Sequence, residues 1–139
     1  MRTLFRVALG CVLSVCLLSP VEAVEKKKQH FFMKHDTAVA YTLQRVSVKA
    51  NCFPDELKGI LAHIAKKTGK KPVVTSGHRP RSGRSQHSHC FAADIRVPGV
   101  SEKKIVAAAR TAPGIGGIGR YCNGIVHVDI GPQRRWNYC

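Results

Sequence analysis

Apolar residues recur at helical spacing in two stretches of the chain, and each stretch has the start and stop signals of a helix. The first stretch begins at Pro54, has acidic residues in its first turn and lysines in its last, and stops at Gly69. The second begins at the capping residue Ser101 and continues to about Thr111. The residues predicted to face the core are Leu57, Ile60, Leu61, Ile64 and Ala65 in the first helix, and Ile105, Ala108 and Ala109 in the second.

Three short runs have the length and composition of strands, and glycine or proline bounds each of them. They cover residues 72–76, 92–97 and 125–130. Residues 113–119 are predicted to form a glycine-rich turn region, whereas 38–48 fit either a strand or a short helix. Since helices and strands alternate around a small sheet, the predicted fold class is α+β.

Polar side chains interrupt two of these strands at positions that share one face. Because successive side chains of a strand point to opposite faces, His127 and Asp129 lie together on the face turned away from the apolar core. In the preceding strand Asp94 also lies on the polar face, and small Ala92 leaves space beside it. Polar groups that face together at strand centres need hydrogen-bond partners or a metal ion.

Histidines in the loop before the second strand extend this polar group. His87 and His89 lie in a short polar segment, and His87 together with Asp94 and His127 would offer zinc two imidazoles and one carboxylate. That set leaves the fourth position for water, as catalytic zinc sites do. The alternative is an ordinary hydrogen-bonded cluster of one carboxylate and two histidines, and spacing alone leaves both interpretations open.

The same residues carry a resemblance to a known family. The stretch from Ser85 to Val100, in which Asp94 follows His87 by seven residues, resembles the first metal motif of the D-Ala-D-Ala carboxypeptidase-like zinc peptidases. This family includes murein endopeptidases and is related in fold to lysostaphin-type enzymes and hedgehog. Residues 117–136 resemble its second motif, in which His127 matches the third zinc ligand.

A further segment with the sequence Ser-Gly-His-Arg-Pro, residues 76–80, resembles the family segment whose arginine stabilises the oxyanion, and Arg79 matches that arginine. The resemblance therefore implies a zinc metallopeptidase, with Zn²⁺ as its cofactor, that hydrolyses a peptide bond in peptidoglycan stem peptides. Either carboxypeptidase or cross-link endopeptidase activity is compatible with it. It also implies a small, mostly antiparallel sheet with helices packed on it, as in hedgehog and the DD-peptidases.

The general base is the point at which this chain departs from the family pattern. Many relatives have Asp or Glu three residues before the third ligand, where this chain has Gly124. Asp129 is the nearest carboxylate on the same strand face, so we expect it to act as the base. The alternatives are that Asp129 orients a ligand while His89 takes the proton, or that the base has been lost.

The first residues have the pattern of a secretory signal. A basic start precedes an apolar run from Val7 to Leu18, which is too short to span a bilayer comfortably, and Ala23 provides a small residue for cleavage. We therefore expect a signal peptide over 1–23, an N-terminal extension over 24–50 and the peptidase domain over 51–139. The mature protein would be exported to the periplasm or cell envelope, with no stable membrane span.

Four cysteines remain after the predicted leader is removed. An even number of cysteines in a small exported domain usually indicates disulfides, and no pair has the two-residue spacing of a zinc knuckle. The predicted pairs are Cys52 with Cys90 and Cys122 with Cys139.

The charge of the chain favours a polyanionic partner. Lysine and arginine number 23 against 8 acidic residues, which gives a formal net charge of +15. This charge fits the peptidoglycan peptidase, and equally an inactive module of the same fold that binds cell-wall polyanions without cutting them. A nucleic-acid partner is not expected, because the 1 Trp, 3 Tyr and 5 Phe form no recognised stacking motif.

Overall fold

One mixed sheet of six strands and two helices make up the part of the chain that the computed structural model describes, residues 40–121 and 123–139. The predicted signal peptide and most of the predicted extension lie outside the described residues, and these boundaries stay predictions. In chain order the elements are β1 (Thr42–Leu43), α1 (Asp55–Thr68), β2 (Val73–Ser76), a short 3-10 helix (Gln86–His89), β3 (Ala92–Arg96), α2 (Glu102–Arg110), β4 (Gly117–Tyr121), β5 (Val126–Asp129) and β6 (Arg134–Tyr138).

The strand order of the sheet is β1-β2-β3-β5-β4-β6. The three inner pairings are antiparallel, whereas the outer strands β1 and β6 pair in parallel with their neighbours. Both helices contribute to one apolar core with the facing side chains of the inner strands. The predicted α+β class with helices packed on a small, mostly antiparallel sheet is confirmed.

Both predicted helices are present, and their ends follow the signals in the sequence. The first is followed by Gly69, whose φ of 70° is the left-handed conformation that glycine adopts without strain. The second lies between Ser101 and Thr111, as expected. The predicted apolar stripes are buried, except that Ala65 at the margin of the first is only half-buried. Within the described ranges no helix is both long and apolar enough to cross a membrane.

Strands β4 and β6 were not predicted, and the turn predicted over 113–119 is wrong for its last three residues. Glycines at 117 and 119 lower the strand propensity of β4, yet neighbouring side chains require them. A methyl group on Gly117 would overlap the carboxylate of Asp129, and one on Gly119 would overlap the indole of Trp136. β6 is an edge strand with mostly exposed residues, so it lacks an apolar pattern. Of the two interpretations of 38–48, the strand is observed over Thr42–Leu43.

Disulfide bonding agrees with the prediction for one pair. Cys52 and Cys90 are joined, with their Cα atoms 6.0 Å apart. Their sulfurs lie close to the ring of His78, but joined sulfurs offer no thiolate to a metal. Cys139 is also disulfide-bonded. Because Cys122 lies outside the described residues, its predicted pairing with Cys139 stays a prediction.

Candidate metal centre

The pairing of β3 with β5 brings the polar side chains of both strands together. In this antiparallel register Asp94 lies directly opposite His127, and Ala92 lies opposite Asp129. The side chains that alternate with them, such as Ile95 and Val128, enter the apolar core. The sheet therefore has an apolar helix-covered face and a polar face at its centre.

The 3-10 helix before β3 delivers His87 to this polar face. The backbone N–H of His87 donates a hydrogen bond to Ser85 Oγ at 3.3 Å, which caps the start of this turn. The turn ends at Cys90, whose φ of 64° is left-handed, and the disulfide from Cys90 to Cys52 ties the segment to the chain before α1. The imidazole of His87 is fully buried.

The three predicted ligands converge. His127 Nδ1 lies 2.9 Å from Asp94 Oδ1, His87 Nε2 lies 3.3 Å from the same oxygen, and the two ring nitrogens are 3.2 Å apart. Within the described part of the chain, His87, Asp94 and His127 form a buried group whose ligand atoms all lie within 4.8 Å of one another.

The outer nitrogen of each imidazole has a partner that can only accept a hydrogen bond. His87 Nδ1 donates to the carbonyl oxygen of Gly77 at 2.7 Å, and His127 Nε2 donates to Asp129 Oδ2 at 2.9 Å. In neutral rings both inner nitrogens are then unprotonated. Two lone pairs and the Asp94 carboxylate thus face one another with no hydrogen between them, an arrangement that calls for a cation.

The pKa shifts of Asp94 and His127 also favour a positive charge within the cluster. Burial raises the pKa of Asp94, but when the rings of His127 and His87 are protonated, their hydrogen bonds and positive charge outweigh burial and hold that pKa well below its usual range. Burial lowers the pKa of His127, but the Asp129 and Asp94 carboxylates outweigh it and raise that pKa. A positive charge is therefore favoured at the centre of the group. Two imidazoles and one carboxylate are a donor set that suits zinc.

Asp129 is fully buried, and each of its two carboxylate oxygens accepts two hydrogen bonds. Its Oδ2 accepts from His127 Nε2 at 2.9 Å and from Arg134 at 2.7 Å. Its Oδ1 accepts from the backbone N–H groups of Gly117 and Gly131, both at 2.8 Å. Although burial raises the pKa of this carboxyl, the hydrogen bonds from His127, Gly117 and Gly131 outweigh it and lower that pKa. Asp129 thus touches the outer nitrogen of His127, on the far side of the ring from the cluster.

A cavity of about 390 Å³ opens above the histidines. Arg79 lines it with a half-exposed guanidinium 3.8 Å from Asp94 Oδ2, and the backbone N–H of Arg79 donates to the carbonyl of His87 at 3.0 Å. A larger cavity of about 800 Å³ lies between the end of α1 and the start of α2, but its ionisable lining groups are lysines, which repel a cation. The residues around the smaller cavity are Arg79, Ser85, His87, Tyr121, His127, Arg134, Arg135, Trp136 and Tyr138.

Neither His89 nor Gly124, which stands at the position of the family's base, lines this cleft. His89 is exposed and packs against Phe91, with ring centroids 6.0 Å apart, and it does not line the cavity. Gly124 has a φ of 82°, and its backbone N–H donates to Glu102 at 2.6 Å, so this segment forms a tight turn rather than a support for a base.

Four side chains of the cleft were given no role in the prediction from the sequence. Trp136 packs its ring 5.0 Å from the ring of His127, and the guanidinium of Arg134 lies 5.2 Å over the same indole. Tyr121 stacks on Tyr138 at 5.9 Å. For three of them the signal is the alternation of β6, which places Arg134, Trp136 and Tyr138 on one face, but it is visible only once that strand is known.

Comparison with known proteins agrees with this geometry. The family model described as "Peptidoglycan L,D-endopeptidase MepK" matches residues 27–136 of the chain. This match covers most of the sequence and includes every residue of the cluster and Arg79. No curated protein and no solved structure matches the chain significantly.

Proposed function

The chain belongs to the family of the peptidoglycan L,D-endopeptidase MepK, and on that premise we propose that it is a zinc-dependent endopeptidase that hydrolyses an L,D-peptide bond in peptidoglycan. The observation that carries the proposal is the convergence of two imidazole lone pairs and a carboxylate at the floor of an open cleft. The substrate would be stem peptides of the cell wall, and the enzyme would act after export, in the periplasm or cell envelope.

His87, Asp94 and His127 would hold the ion. When bound, zinc supplies Lewis acidity at the scissile carbonyl and lowers the pKa of a water molecule to near neutrality. The protein contributes the rigidity of the site. His87 is fixed by its hydrogen bond to Gly77 and by the disulfide that follows it, while the other two ligands lie opposite each other on central strands. Such fixed ligands keep the donor geometry constant during turnover.

Arg79 would stabilise the negative charge that develops on the carbonyl oxygen of the substrate. Its guanidinium is half-exposed at the rim of the cleft and close to Asp94, so it can reach a peptide bound over the ligands. A permanently charged, planar donor suits an oxyanion. The Coulombic attraction to Asp94 at 3.8 Å holds the group near the cleft without committing its hydrogen-bond donors.

Asp129 is better suited to position His127 than to act as the base. Its contacts with His127, Arg134 and two backbone N–H groups leave it no accepting position toward the cleft. A carboxylate that accepts from the outer nitrogen of a metal-binding histidine fixes the tautomer and raises the basicity of the ligand. We therefore assign Asp129 the second of the roles considered for it, the orientation of a ligand.

The proposal is tested with muropeptide dimers joined by either an L,D- or a D,D-peptide bond, together with monomers that end in D-Ala-D-Ala. The expected result is cleavage of the L,D-linked dimer, identified by the masses of its products, with the other two substrates left intact. Release of D-Ala from the monomers alone would contradict it in favour of a carboxypeptidase.

Binding to intact cell wall without any cleavage would support the alternative of an inactive polyanion-binding module, which the net charge of +15 also fits. A His127→Ala variant is the matched control, because loss of a ligand should abolish cleavage while the basic surface remains.

A further inference from the structure

The side chain of Tyr121, at the end of β4, lines the cleft. The two preceding residues on the same face of this strand have no side chain. In β4, residues 117, 119 and 121 alternate onto the face of the metal centre, and the first two are glycines. Asp129 and Trp136 occupy the space above those glycines. Since Gly119 lies directly opposite His127 in the register, Tyr121 is one alternation, roughly 7 Å, further along the same face.

Aromatic neighbours hold the phenol ring of Tyr121 in place. Tyr138 stacks on it with an interplanar angle of 20°. Trp136 lines the same cleft and packs on His127, with ring centroids 5.0 Å apart. The hydroxyl of a phenol can donate a hydrogen bond as well as accept one.

A tyrosine phenol has an ordinary pKa of about 10, so it carries its proton at neutral pH. Burial raises the pKa of Tyr121 further. A neutral phenol is a hydrogen-bond donor, whereas a phenolate would repel a developing oxyanion.

Several of the other ionisable groups of this cleft are already engaged. No carboxyl side chain is among the described residues that line it, and the imidazoles of His87 and His127 are the proposed ligands. Arg134 is engaged by Asp129. Arg79 and Tyr121 both line the cleft together with the ligands, and each carries a hydrogen that it can donate to a substrate oxygen.

From these contacts we infer that Tyr121 is a further catalytic residue, whose O–H donates a hydrogen bond to the substrate oxyanion alongside Arg79. The inference rests on the proposed peptidase function. As the carbonyl carbon becomes tetrahedral, its oxygen gains negative charge and accepts from the phenol, which keeps its proton throughout. The bond strengthens as charge develops, so it stabilises the transition state more than the bound substrate.

Tyr121→Phe tests the inference because it removes the O–H and retains the stacked ring. The expected result is a fall in kcat of about 100-fold, the loss typical of removing one oxyanion donor, with KM and zinc content changed less than about 3-fold. Binding of a phosphinate analogue of the scissile bond should weaken by a similar factor, whereas binding of the peptide products should not. Tyr41→Phe, whose ring packs on Phe53 at 6.1 Å, is the control and should leave all these quantities unchanged.

An unchanged kcat in Tyr121→Phe, or a loss of activity that matches a loss of zinc or a lower Tm, would overturn the inference. The second outcome would make Tyr121 a structural residue. An inactive wild-type enzyme would instead refute the proposed function itself, so the two failures are distinguishable.

Discussion

Asp129 shows how one residue's contacts separate two chemical roles that its sequence position leaves open. Two residues along a strand from His127, a carboxylate could face the reacting water or the ring of its neighbour. The observed hydrogen bond from His127 Nε2 to Asp129 Oδ2, at 2.9 Å, favours the second. The backbone N–H donors of Gly117 and Gly131 come from a strand and a loop whose positions the sequence does not specify.

Asp129→Asn is expected to weaken zinc binding by about 10- to 100-fold, because the amide holds the tautomer of His127 less firmly than the carboxylate does. Zinc affinity measured against a competing chelator, together with turnover in excess zinc, checks this prediction. Added zinc should restore part of the activity. Full zinc retention with activity lost would contradict the positioning role and reinstate Asp129 as the base.

Arg79→Lys is expected to lower turnover by roughly 10-fold or more while zinc content stays the same, since lysine keeps the charge but loses the planar donors. Steady-state kinetics and metal analysis on the same preparation provide the measurement. Arg84→Lys, in the same loop but outside the cleft, is the matched control. A normal rate in Arg79→Lys would mean that this arginine has only a structural role.

The convergence of His87, Asp94 and His127 could be anticipated from the sequence because strand alternation and the motif spacing both constrain it. The contributions of Trp136 and Tyr121 could not. They depend on the parallel pairing of β6 with β4, a contact that brings Trp136 beside Gly119 and that no local pattern encodes.

At the scale of elements, the helices were predictable because their signals are local. The apolar stripe of α1 and its stop at Gly69 depend on neighbours within a few residues, and the observed ends agree with them. β4 was missed because its glycines serve a contact distant in sequence. Tertiary packing against Asp129 and Trp136 overrides the low strand propensity of these residues.

Gly119→Ala is expected to destabilise the protein by about 1–3 kcal/mol, because the added methyl group overlaps the indole of Trp136 and displaces it from His127. Chemical denaturation gives the free energy of unfolding. Gly59→Ala is the control: it lies within α1, meets no atom within 4 Å, and should raise stability by about 0.5–1 kcal/mol. Wild-type stability in Gly119→Ala would show that Trp136 is not packed as described.

On the scale of the whole molecule, the Cys52–Cys90 disulfide links the segment before α1 to the turn that carries His87. A small domain gains much of its stability from such a link. The Cys52→Ala/Cys90→Ala double variant should lose about 2–4 kcal/mol of unfolding free energy and bind zinc more weakly, because the His87 turn is no longer tethered.

Urea unfolding and zinc affinity of this double variant, purified without reductant so that the bond at Cys139 stays intact, test that expectation. The wild type treated with a reductant should behave similarly or be less stable still. If the double variant is as stable as the oxidised wild type and binds zinc as tightly, the disulfide does not support the site.

The fold class could be predicted from the sequence, but the order of the strands in the sheet could not. Alternating helices and strands indicate α+β, whereas the order of the six strands depends on which edges pair. The formal charge of +15 is likewise a property of the whole sequence. It favours association with an anionic wall and does not distinguish cutting from binding.

The most direct test of the central claim is reconstitution of a chelator-treated, metal-free enzyme with measured amounts of zinc, followed by assay on an L,D-linked muropeptide dimer. We expect that cleavage is absent without metal, rises linearly with added zinc and saturates at about one ion per chain, as for one three-ligand site. His127→Ala should remain inactive at the same zinc concentrations. Full cleavage by the metal-free enzyme, or by His127→Ala, would contradict it.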